Sequence, residues 1–166
     1  MISNGKFYES QFEEATIELL REAHWQYAFG DDIHRKYTDP LIEEDLRNFL
    51  AVQYKDKNLT TSEMDSIVAN LRNTGGQNDY YALRNTFLLY RDGYDFAYSD
   101  GRSNPFRLEY IDFEHPDHNI FRCVNQFVME QGRENRRPDI LLFINGIPVC
   151  IIELKNPTKQ NATIHD

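Results

Sequence analysis

The chain has no cationic excess. Among its 166 residues, 18 Lys and Arg face 27 Asp and Glu, for a formal net charge of −9. That balance excludes a general polyanion-binding surface, so nucleic acid would have to be held by a local basic patch, a bound cation or another domain. Cysteine is nearly absent too. Cys123 and Cys150 both lie in strand-like apolar runs, which predicts buried free thiols and agrees with a reducing cytoplasm. No apolar run approaches membrane-spanning length, and Met1–Tyr8 is too polar for a signal peptide. Zinc-type spacing is missing as well. The segment Glu114-His115-Pro116-Asp117-His118-Asn119 carries two His and two acids that could be taken for a metal cluster, but neither spacing nor helical context matches a zinc signature, and a capped, solvated loop is expected instead. A chain that is 40% hydrophobic and 13% aromatic can nevertheless build one globular core.

The most organised stretch is Arg136 to Lys155, RRPDILLFINGIPVCIIELK. Two apolar runs, Ile140–Ile144 and Ile147–Ile152, flank Asn145-Gly146, a strong signal for a tight hairpin. Their lack of alternation predicts two central strands covered on both faces. The acids of this hairpin stand near its open end: Asp139 where the first strand enters, Glu153 where the second leaves, with Lys155 two residues on. A buried charge costs several kcal/mol unless it is paired or bound to metal, so these groups suit a divalent cation. A simple two-residue turn would set Asp139 and Glu153 on opposite faces of the sheet. A shared ion therefore calls for a three-residue turn with left-handed Gly146 or a bulge near Pro148.

Taken in order, residues 9–23 read as an amphipathic helix with Phe12, Ala15, Ile17, Leu19, Leu20 and Ala23 as its apolar stripe, and Ser10 and Glu13 are expected to form a capping box. Trp25 and Tyr27 suggest a short extended piece. Three helices follow between Leu41 and Leu89. The first covers residues 42–54. The second opens at Thr60-Thr61-Ser62-Glu63, runs to about Arg72 and is stopped by Gly75-Gly76. The third is capped by Asn78 or Asp79 and runs to about Leu88. Their apolar stripes are expected to be core. Residues 94–98 and 106–113 predict a hairpin, residues 121–129 a strand, and residues 131–137 a charged loop whose Arg133, Arg136 and Arg137 either contact phosphates or balance nearby acids.

Asp139, then Glu153-Leu154-Lys155 across a hairpin, with Pro138 supplying the proline, resembles the PD-(D/E)xK nuclease signature. The longer run IDFEHPDHNIFRCVNQFVMEQGRENRRPDILLFINGIPVCIIELKNP resembles the N-terminal endonuclease region of the R (motor/restriction) subunit of type I restriction enzymes. Leu89-Tyr90-Arg91-Asp92-Gly93 and the FEEATIELL helix fit the same pattern, from about Phe7 onward.

The resemblance implies an α/β fold, a restriction-endonuclease-like twisted mixed sheet flanked by helices. Residues 1–166 would form one N-terminal endonuclease domain, a fragment of a longer subunit, with the helical segment 41–89 inserted before the sheet core. The sheet would be incomplete at its C-terminal side, and the helicase-like motor domains would lie elsewhere. It implies Mg²⁺ on Asp139, Glu153 and the main-chain carbonyl of Leu154, with Lys155 as catalytic lysine and Glu13, or Glu9 one turn away, as the helix carboxylate. It further implies cleavage of double-stranded DNA in the cytoplasm, methyltransferase and specificity subunits as partners, and ATP use by the full-length subunit. Two other readings stand beside it: another nuclease of this superfamily, RecB-like or a junction resolvase, and a catalytically silent DNA-docking or assembly module.

Overall fold

The computed structural model describes residues 9–74, 77–132 and 134–155. Its elements in order are α1 (Glu9–Glu22), β1 (Gln26–Phe29), α2 (Glu43–Gln53), α3 (Thr61–Arg72), α4 (Asp79–Asp92), β2 (Tyr94–Phe96), β3 (Phe106–Leu108), β4 (Phe121–Asn125), β5 (Met129–Gln131), β6 (Glu134–Arg136), β7 (Ile140–Ile144) and β8 (Ile147–Ile152). The fold is α/β, with four helices and a mixed four-stranded sheet in the order β1-β4-β7-β8 among the described residues. The chain divides into two compact units, residues 1–40 with 121–143 and 148–166, and residues 41–120 with 144–147.

The second unit is the helical one. Leu46, Phe49 and Leu50 of α2 and Ile67, Val68 and Leu71 of α3 are buried with Leu108, Tyr110 and Ile147 in one cluster. Their spacing of three and four residues makes a single stripe on each helix, and that stripe is the core. Thr60 caps α3 through the full capping box, its hydroxyl taking the Glu63 amide while Glu63 returns to the Thr60 amide at 2.9 Å. Asn78 caps α4, which continues to Asp92, past the expected end at Leu88, because Gly93 is the first residue able to leave the helix at positive φ. The expected core stripe does not hold for α4: Leu83 and Phe87 are exposed, and only its end, at Leu89 and Tyr90, packs on the cluster. β2 and β3 pair antiparallel as expected, although each is only three residues long. Gly75-Gly76 fall outside the described residues.

The first unit carries the sheet. β1 lies parallel to β4, with Gln26 opposite Arg122 and Phe29 opposite Asn125. β7 runs antiparallel to β4: the Gln126 amide donates to the Asp139 carbonyl at one end, and the Asn145 amide donates to the Ile120 carbonyl at the other. β7 is central, with Ile140, Leu141 and Phe143 buried.

Four expectations are corrected here. β8 is an edge strand among the described residues, so Val149 and Ile151 are exposed, and Cys150 with them, whereas Cys123 is buried in β4. Residues 121–129 are not one strand, because Gln126 takes φ 56 and ends β4 there. The polar segment 131–137 is a hairpin, β5 paired to β6, turning where Gly132 adopts φ 64. Ser10 lies inside the first turn of α1 and does not cap it, since the helix already includes Glu9.

Candidate nuclease centre

The Asn145-Gly146 turn is the two-residue kind, with both residues left-handed at φ 51 and 73. The Asn side chain makes this turn rigid within its own unit: it takes the Ile120 amide at 2.7 Å and gives to the Tyr110 carbonyl at 2.9 Å. Gly is required beside it, because a Cβ on Gly146 would sit 2.1 Å from the Ile42 carbonyl oxygen. The three-residue turn expected from the sequence is therefore not the one adopted.

What changes the geometry is where β8 stops. The strand ends at Ile152, so the alternation of faces does not govern Glu153 or Lys155. Beyond it the Leu154 amide turns onto the Asp139 carboxylate, donating to Oδ2 at 2.7 Å. This bond joins the entry of β7 to the segment between Glu153 and Lys155. Pro138 and Ile140 on either side of Asp139 are buried, Asp139 is half-buried, and Glu153 and Lys155 are exposed.

Glu13 reaches the same end of the sheet from α1. Its Oε1 accepts from the Asn125 side-chain amide at 2.9 Å and from the Gln126 side chain at 3.5 Å. The Gln126 main-chain amide donates to the Asp139 carbonyl at 3.3 Å, so Glu13, Gln126, Asp139 and Leu154 are linked in series. The side chain of the alternative, Glu9, lies outside the described residues. Behind Glu13, the Tyr27 hydroxyl donates to Asn125 Oδ1 at 2.9 Å, which turns the Asn125 amide toward Glu13. Burial, then the Glu13 charge, push the Tyr27 hydroxyl above its ordinary range, which keeps it a donor. An open cleft along α1 is lined by Glu13, Arg21, Tyr27 and Asn125.

The structure thus brings Glu13, Asp139 and Leu154 into one hydrogen-bonded series and places Glu153 and Lys155 on either side of the amide that closes it. Of the three arginines, Arg136 stands on β6 against Glu134 at 3.7 Å, both exposed, Arg137 is exposed, and Arg133 is outside the described residues. Sequence reasoning missed Asn125, Gln126 and Tyr27. The available signal was a polar pair, Asn125-Gln126, inside the apolar run from Phe121 to Val128.

The donors fit a hard divalent cation. They are carboxylates and a main-chain carbonyl, and the hydrogen bonds on Asp139 and Glu13 come from neutral amides that leave their charge uncancelled. Among the described residues no helix is long and apolar enough to cross a membrane.

Comparison with known proteins agrees with this frame. The family model described as "Type I restriction enzyme R protein N terminus" matches residues 6–166. The type I restriction enzyme HindI endonuclease subunit of Haemophilus influenzae is 30% identical over 167 aligned residues, covering 94% of this chain. The putative type I restriction enzyme MjaIXP endonuclease subunit of Methanocaldococcus jannaschii is 30% identical over 162, covering 93%. The chain spans 16% of the length of each of these relatives. With the signature residues gathered at one end of the sheet and the match running nearly end to end, the chain belongs to the family of type I restriction enzyme R-protein N-terminal regions.

Proposed function

We propose that this chain is the DNA-cleaving part of an ATP-dependent type I restriction-modification complex, an Mg²⁺-dependent endonuclease that works beside methyltransferase and specificity subunits in the cytoplasm. The observation that carries the reading is the Leu154 amide on the Asp139 carboxylate, which draws the Pro138-Asp139 entry and the Glu153-Leu154-Lys155 exit of one hairpin together.

In this reading Asp139, Glu153 and the Leu154 carbonyl hold Mg²⁺, which when bound polarises the scissile phosphodiester and acidifies a water. Asp139 is kept in place by the Leu154 amide, so its second oxygen stays available. Lys155 orients the attacking water or offsets charge that develops on the phosphate oxygens. Glu13, fixed by Asn125 and Gln126, positions water from the helix side. Arg133, Arg136 and Arg137 supply the local positive charge that an acidic domain needs to approach a phosphate backbone.

The test is plasmid cleavage by the assembled complex carrying Glu153→Ala or Lys155→Ala. Withdrawing a metal ligand, or the ammonium that offsets charge in the transition state, removes several kcal/mol of transition-state stabilisation, so cleavage should fall by about 10³-fold or more while ATP hydrolysis and assembly persist. Cleavage at the original rate in both variants would remove these residues from the mechanism.

A further inference from the structure

We infer that Asp112, His115 and His118 form a second metal site, one that takes a transition-metal ion of the zinc type and is chemically distinct from the Mg²⁺ centre proposed above. One ligand atom from each residue, the Asp112 carboxylate and the two imidazole nitrogens, lies within 4.8 Å of the others. The distances are selective. His118 Nδ1 stands 3.1 Å and His115 Nδ1 3.6 Å from the same atom, Asp112 Oδ2. Ligands about 2.0–2.1 Å from a tetrahedral zinc lie about 3.3 Å from each other, so both imidazole–carboxylate sides of the triangle already match, and the imidazole–imidazole side, within 4.8 Å, closes by rotation of the two exposed rings.

The site is also preorganised. Asp112 is buried, and its other oxygen, Oδ1, is occupied by the Glu114 and His115 amides at 3.1 and 2.8 Å, so only Oδ2 faces the imidazoles. The Gln53 side chain donates to the same Oδ2 at 3.0 Å, which fixes that oxygen while leaving its other lone pair for an ion. The two rings stack with centroids 5.0 Å apart and 18° between planes, and both Nδ1 atoms approach the one carboxylate oxygen. A short 3-10 turn, residues Pro116–His118, produces this arrangement by setting residues 115 and 118 on one side. Both His are exposed, which leaves a coordination position for water. Two imidazoles with one carboxylate suit zinc, nickel or cobalt and are poor ligands for Mg²⁺, so this ion would be a fixture of the loop and not a competitor for the nuclease centre.

The experiment is calorimetric titration of the whole chain with Zn²⁺ in excess Mg²⁺, paired with Co²⁺ absorption. One Zn²⁺ per chain should bind, and His115→Gln or His118→Gln should each weaken it by at least about 100-fold, because loss of an outer partner alone costs 10–100-fold. Both side chains are exposed, so the variants should keep the parent's circular dichroism. Asp139→Asn should bind Zn²⁺ as the parent does, which separates this site from the nuclease centre. Co²⁺ should give a nitrogen- and oxygen-ligand spectrum without thiolate charge transfer. Absence of saturable binding, binding unchanged in both His variants, or a thiolate band pointing to the exposed Cys150 would each overturn the proposal.

Discussion

The two units of the molecule handle buried and half-buried carboxylates in opposite ways. In the helical unit Glu63 and Glu43 are neutralised by guanidinium. Glu63 is buried and takes Arg102 through both oxygens at 2.7 Å, and Glu43 is shared between Arg47 and Arg72. In the sheet unit Asp139 and Glu13 are held by neutral amides. A guanidinium cancels a carboxylate's charge and closes its coordination, whereas an amide fixes its position and leaves the charge in place. The first arrangement makes a scaffold, and the second leaves a seat for a cation. Asp112 is the exception that sharpens the rule: it belongs to the helical unit yet is held by amides and imidazoles, and it is where a second ion is proposed.

The comparison can be broken most forcefully at the turn. Gly146→Ala would place a methyl against the Ile42 carbonyl and hold Ala at φ 73. Left-handed strain and overpacking together should cost about 2–5 kcal/mol, read as a lower denaturant midpoint. An unchanged midpoint would mean the turn is not the fixed point described here. Asn125→Ala tests the amide-held seat. It removes one of the Glu13 anchors without touching the hairpin, and cleavage should fall about 10–100-fold with little change in stability. A loss of stability with normal activity would make Asn125 a structural residue only.

Glu63→Gln probes the guanidinium-held side by pH. The Arg102 guanidinium, more than any other contact, holds the Glu63 pKa down to about 2 against an ordinary value of 4.5. Because the folded value is depressed, its stabilisation is fully present above about pH 4.5 and is lost as pH falls toward 2. Glu63→Gln should therefore lower stability at neutral pH and flatten the acid limb in that window. An acid limb identical to the parent's would show that the pair does not set it.

Legibility followed the range of the interactions. The capping box at Thr60 and Glu63 and the Asn145-Gly146 turn were readable because each rests on residues within three positions. Asp139, Glu153 and Lys155 stood out because charge at the end of an apolar hairpin is costly. By contrast, the edge position of β8 was hidden. A run of Val, Cys and Ile looks the same whether or not a neighbour covers it, and the sheet order depends on β1, about 95 residues upstream of β4. The break at Gln126 was missed for a related reason: its left-handed backbone is set by what Asn125 and Gln126 reach, Glu13 more than a hundred residues away. The β5–β6 hairpin was missed because its composition is that of a solvated loop, and the signal was Gly132 alone. The grouping of His115 and His118 on Asp112 needed the 3-10 turn, which no zinc spacing encodes.

The most direct measurement is Mn²⁺ binding, followed by electron paramagnetic resonance, on the chain carrying His115→Gln and His118→Gln so that the second site is silent. Mn²⁺ substitutes for Mg²⁺ at oxygen ligands and reports its own coordination. One ion per chain should bind, and Asp139→Asn or Glu153→Gln should each weaken it at least about tenfold, since either loss takes away a carboxylate. Binding that survives both substitutions unchanged would contradict the claim that these two acids share a cation.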